Sequence, residues 1–270
     1  MIDDFISSPG AEPEKIIPPL SSGVAPVVEV EKIIIHHEPR ISANKLAEYV
    51  TADPVRQMAI IRESKFAKKA VMIPYKKVRN FLGHAFAHDG LDIDKLTVRA
   101  NEIRQETAIS EWQSRDNSNS ALALEKLVAI APELAWKHAR IFHARLIGLE
   151  FSAVKVSVQP ELVFCFEHRK ITKAGGVILS TAKSDNKSLE RGNGSHCVGH
   201  YLSSLLFQAL SFKANQERIG MPLNTKCYAV DVWREKIYTA PGSYLTLNKH
   251  MQAACEVIAA LWPKIQQKSS

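Results

Sequence analysis

The sequence predicts an α/β fold, a mixed sheet with helices on both faces that follows a helical module, and three observations carry the prediction. Apolar residues recur at helical spacing through most of residues 42–134. Three β-type runs then arrive close together, FSAVKVSVQ, ELVFCFE and GGVILSTA. An apolar helix separates them from a further strand, YAVDV, so the last two strands need a crossover and lie parallel.

From the start of the chain, Pro9, Pro13, Pro18, Pro19 and Pro26 among Ser and Gly argue against a helix over residues 1–28. Val27 to His36 alternates and reads as a short strand or extended arm. Ser42 is placed to cap a helix through ANKLAEYV, and Pro54 to open a second one with a cationic last turn. Further helices are expected near 75–89 and 92–114, then a polar break at SRDNSNS. A helix is expected from Ser120, another from Pro132 to Gly148, and then the strands, with a turn-like RKITKAGG between the second and third. HCVGHYLSSLLFQALSF reads as a helix with Leu202, Leu205, Leu206 and Leu210 in the core. KCYAVDVW and EKIYTA suggest a hairpin, and Pro263 stops the final helix. The expected division is an acidic leader over 1–40, a basic helical module over 41–118, and an α/β core over 119–270.

Composition narrows the function classes. The chain has 270 residues, 46% hydrophobic and 23% charged, which suits a packed globular protein. No apolar run nears the roughly 18 residues of a membrane span, and no secretory layout opens the sequence, so a cytoplasmic location is expected. Cys165, Cys197, Cys227 and Cys255 form no CxxC pair and read as reduced, mostly buried thiols. Net charge is +7, split between −4 over residues 1–40 and +11 over the rest. A basic body points to an anionic partner, nucleic acid first among them. The leader is a candidate contact for a protein partner or a second copy. No Walker loop, Rossmann fingerprint or GxSxG elbow is present.

The order of elements, with Pro160-Glu161 entering the second strand and Lys183 closing the third, resembles the αβββαβ core of the PD-(D/E)xK nuclease superfamily, the restriction-endonuclease-like fold that includes lambda exonuclease. The resemblance implies phosphodiester hydrolysis, with Glu161 holding Mg²⁺ and Lys183 positioning or deprotonating the attacking water. Thr181 stands where the superfamily has an acid, which leaves Glu125 on the preceding helix, or Asp185 or Glu190 in the following loop, to complete the metal set. The ordinary alternatives are a solvent-facing strand glutamate and a strand-end lysine. The superfamily also implies a polar residue on the helix after the third strand, for which His200, Tyr201 and Gln208 are available, Tyr201 as a contact to nucleic acid.

SANKLAEYV, VSVQPELVF, YAVDV and ACEVIAALWPKI are similar to an uncharacterised family of bacterial proteins from genomes and mobile elements. That family's third strand reads Gly-x-Ile-Lys-Leu-x-Phe-x-Lys. Here Lys183 keeps the terminal lysine, and Ile178 replaces the inner one.

His196 and His200, like His84 and His88, are four apart, yet neither pair has the glutamate of HExxH or an evident third ligand. Asp231, inside a central strand, calls for a partner such as Arg234 or a backbone amide. Arg56, Arg62, Lys65, Lys68, Lys69, Lys76, Lys77 and Arg79 cluster with Phe66, Tyr75 and Phe81, suited to phosphates and stacked bases, DNA ahead of RNA; the plainer reading is a solvated helix face. Three functions follow: a metal-dependent nuclease, an inactive nuclease fold that binds nucleic acid or scaffolds a complex, and a pure protein-interaction factor.

Overall fold

Capping residues fix the element ends before packing fixes their places. β1 (Ile33–Ile35) and β2 (Arg40–Ser42) precede α1 (Ala43–Thr51), whose first turn is capped by Ser42 accepting from the Lys45 N–H. Asp53 caps α2 (Pro54–Lys65) through the Arg56 N–H, with Pro54 where a missing donor costs nothing. β3 (Phe66–Lys68) pairs antiparallel with β1. Next come α3 (Lys76–Ala85), the two-residue strands β4 (Phe86–Ala87) and β5 (Gly90–Leu91), and α4 (Ile93–Gln105), capped by Asp92. The computed structural model describes residues 33–68, 74–87, 90–134, 136, 139–142, 146–181, 197–217 and 219–267.

α5 (Glu111–Ile130) overturns one expectation, because the polar stretch SRDNSNS lies inside it. Ser110 caps the helix through the Gln113 N–H, and Arg115 pairs with Glu111 one turn back at 2.5 Å. Ser118 donates to the Ser114 carbonyl, and Asn117 is held by Lys77 and the Glu106 carbonyl. Polar groups that favour a loop are thus satisfied along the helix itself. The expected boundary at 118/119 falls in the middle of this helix, so the helical module and the core are not separable there.

A 3-10 turn (Ala131–Leu134) leads to β6 (Arg140–Phe142), where the sequence predicts continuous helix over 132–148. Trp136 explains the break: its buried indole stacks between Phe86 and Phe164, at 5.3 and 4.4 Å. Ile141 and Phe142 then serve opposite cores, a period-2 arrangement that only a strand allows. β7 (Ile147–Phe151) and β8 (Val154–Val158) form a hairpin through Ser152 and Ala153, and β9 (Leu162–His168) and β10 (Ile171–Ser180) another through Arg169 and Lys170. Only these two residues turn; the rest of the expected RKITKAGG turn is strand. α6 (Val198–Glu217), β11 (Met221–Asp231), β12 (Lys236–Thr239) and α7 (Tyr244–Leu261) complete the chain, with Pro263 in a closing 3-10 turn.

The result is a mixed α/β fold. Its main sheet has the order β12-β11-β10-β9-β6, antiparallel except for β10 and β11, which α6 connects as a parallel pair requires. The expected first strand of the meander, within 151–159, belongs instead to a second sheet, β2-β8-β7, and β6 takes its place beside β9. Alternation along the main strands divides the interior. Val163, Cys165, Ala174, Ile178 and Ala229 face α1, α6 and α7, with Leu202, Leu205, Leu206 and Leu210 in this core as expected. Leu162, Phe164, Val177, Leu179, Tyr228 and Val230 face α3, α4 and α5. Helices from the N-terminal module therefore cover both faces. Among the described residues no helix is long and apolar enough to cross a membrane.

Candidate functional site

The end of β10 outruns the start of β9, and Glu161 fills the difference. Its N–H donates to the Val177 carbonyl, the last rung of the ladder. Two residues further along β10, the Leu179 N–H has no β9 residue opposite it and donates to Glu161 Oε2 at 2.7 Å. Arg79 on α3 donates to Oε1 at 2.8 Å, while Asn44 on α1 donates to the Leu179 carbonyl at 3.2 Å. The carboxyl is only 3% exposed. Burial pushes its pKa up to about 7, and the attraction of Arg79 and the two backbone hydrogen bonds offset only part of that rise.

This environment does not fit a divalent ion as the described residues stand. Both Glu161 oxygens already accept from donors, one of them a guanidinium that would repel a metal. Glu125, the expected helix ligand, faces α4 and pairs with Arg104 at 2.5 Å. The two acids answer to different arginines, and among the described residues no group of three or more His, Cys, Asp or Glu is placed to hold a metal. Lys183, Asp185 and Glu190 lie outside the described residues, as do His196, His88 and residues 1–32 of the leader. Thr181 contributes its carbonyl to the indole N–H of Trp233 at 2.9 Å.

The basic cluster of the N-terminal helices is largely engaged within the protein. Arg56 pairs with Glu48 and Glu63, each at 2.7 Å, and Lys77 pairs with Glu106. Lys65 donates to the carbonyls of Trp262 and Ile265 at 2.7 and 2.9 Å, closing the end of α7, and Arg62 reaches the Gln266 carbonyl. Lys76 is exposed; the Lys68 side chain and Lys69 lie outside the described residues. Tyr201 is 5% exposed, with its hydroxyl 2.9 Å from His250 Nδ1, which places it in the core and not at a surface that bases could reach. Gln208 pairs with Asn248 on α7. Asp231 has the partners its burial demands: Arg234 donates to it from Nη1 at 2.8 Å and from its N–H at 3.1 Å.

A second basic surface lies at the opposite end of the sheet and escaped sequence reasoning. The β9–β10 turn presents Arg169 and Lys170, and Lys173 follows, across from Phe166. On β11, Lys226 lies over the Tyr228 ring. Ile171 and Met221, each 57% exposed, flank them. Among the described residues no acid forms an ion pair with these four cations. The run RKITK was the available signal, but Lys226 joins it only through the β10–β11 pairing. The sequence matches no family model and no curated protein.

Proposed function

We propose that this chain is a nuclease-like protein whose acid position is closed by an arginine, and that it binds nucleic acid without cutting it. One observation carries the reading: Glu161, the acid expected to hold the metal, is buried between Arg79 and the Leu179 N–H. The guanidinium supplies the positive charge that a divalent ion supplies in an active nuclease. The succession α5, β6, β9, β10, α6, β11, with neighbours in that sheet order and a parallel last pair, supports an αβββαβ core carrying the β7–β8 hairpin as an excursion. Net charge of +11 over residues 41–270 and the ridge of Arg169, Lys170, Lys173 and Lys226 support the polyanionic ligand.

The test is anisotropy with labelled single- and double-stranded DNA and RNA across a salt series, with Mg²⁺ and with EDTA. Expected are affinity that falls steeply with salt, no need for Mg²⁺, intact substrate, and a salt slope reduced by about 1 for each of Lys173→Ala and Lys226→Ala. Cleavage in Mg²⁺ or Mn²⁺ that disappears in both Glu161→Ala and Lys183→Ala overturns this reading in favour of a metal-dependent nuclease. Absence of any affinity at low salt leaves a protein-interaction factor.

A further inference from the structure

At the N-terminus of α6 four elements bring together a thiol, an imidazole, a phenol and an ion pair. Cys197 occupies the cap position: its carbonyl accepts from the N–H groups of His200 and Tyr201, at 3.0 and 3.3 Å. The backbone N–H groups of Gly199 and His200 at the start of the helix act on the Cys197 sulfur so as to favour the thiolate. His200 Nδ1 stands 3.5 Å from the same sulfur. From β12 the Tyr238 ring meets the His200 ring edge-on at 5.3 Å, and burial and the sulfur beside it raise the phenol. Asp231 and Arg234 lie next to Tyr238 from β11 and the turn beyond it, their charges acting on the phenol in opposite directions.

Gly199 makes this approach feasible, because a Cβ at that position would run into the Tyr238 ring. Burial on its own raises the Cys197 thiol, but the hydrogen bonds from His200 and the helix terminus outweigh it and bring it below its ordinary value. The hydrogen bond to Cys197 raises His200 in turn. The other three cysteines behave in the opposite way. Cys165, Cys227 and Cys255 are buried, and burial raises each of them. Cys197 alone of the four is half-buried.

We propose that Cys197, paired with His200 at the N-terminus of α6, is a reactive thiol of this protein and a site of mixed-disulfide formation with small disulfides such as glutathione disulfide. The thiolate attacks one sulfur of the disulfide. The Cys197 S–S bond forms as the reagent's S–S bond breaks, and the departing thiolate takes a proton from water. Cys197 is oxidised by the small disulfide, which is reduced to one equivalent of thiol. This site is independent of the Glu161 environment and of nucleic-acid binding.

The experiment treats the native full-length chain with iodoacetamide, and separately with glutathione disulfide, and follows intact mass and peptide maps over time and pH. Expected is a single early adduct on Cys197 with either reagent, absent in Cys197→Ser, with the glutathione adduct released by dithiothreitol. His200→Gln should slow alkylation near neutral pH by about fivefold or more and shift its pH profile upward. A role for His200 in helix packing alone would leave that profile unmoved. Tyr238→Phe, which keeps the ring on Gly199, provides a second variant should His200→Gln fold poorly, and it should change the rate without moving the adduct. Labelling of all four thiols at similar rates, no adduct on Cys197, or an unchanged pH profile in a folded His200→Gln overturns the proposal.

Discussion

Glu161→Gln isolates the buried carboxyl. Burial lifts this acid from its ordinary 4.5 to about 7, so between those values the folded chain holds a proton that the unfolded chain has released. Stability therefore falls as pH rises through this window, by about 1.4 kcal/mol per pH unit. Across the whole interval the loss reaches about 3 kcal/mol. This contribution is fully present below pH 4.5 and gone above about pH 7, the sign expected for an acid whose folded pKa is raised. Glutamine does not titrate, and other ionisations cancel when the two proteins are compared at one pH. The assay is urea unfolding by tryptophan fluorescence from about pH 5 to about pH 8. The variant should gain on the parent steadily up to about pH 7 and then level off. Relative to the neutral acid, glutamine replaces the O–H with an amide NH₂ facing Arg79 or the Leu179 N–H, which adds a pH-independent penalty of about 1–3 kcal/mol. The slope is thus the diagnostic, not the intercept. A flat difference, or one that widens in the parent's favour as pH rises, refutes the reasoning.

Three further substitutions probe the packing elsewhere in the fold. Phe164→Ala empties a fully buried position stacked on Trp136 and should cost about 3–5 kcal/mol in chemical denaturation. Lys65→Met keeps the aliphatic stem but leaves the Trp262 and Ile265 carbonyls without their donor; a loss of about 1–2 kcal/mol in thermal unfolding, with unchanged affinity for DNA, would separate this lysine from any phosphate contact. Gly199→Ala pushes Tyr238 off α6 and should destabilise by about 1–3 kcal/mol, read from the urea midpoint.

Where local chemistry decides, the sequence was readable. Ser42 and Pro54 start their helices, the leucines of α6 enter the core, and the hairpin of β11 and β12 forms as its pattern indicates. Partners remote in sequence decide the rest. Ser114 to Ser120 read as a loop because Lys77 and the Glu106 carbonyl, which help hold Asn117 in a helix, belong to other segments. Arg140 to Phe142 read as helix because apolar spacing there fits either period, and pairing with β9 selects the strand. Glu161 was recognisable as an acid entering a strand, but Arg79 lies on a different element and was counted with the free cations. His200 drew notice as one of two histidines a turn apart; its contact proved to be the neighbouring cysteine.

The parallel pairing of β2 with β8 matches Arg40 to Lys155, residues 115 positions apart. During synthesis at about 5–20 residues per second, the early strand waits on the order of ten seconds for its partner to leave the ribosome. Over that interval α1 and α2 have neither β8 nor α6 to cover their apolar sides, so the nascent chain offers chaperones a long-lived target, and slowing translation before residue 158 should raise aggregation in cells while leaving refolding of the finished protein untouched.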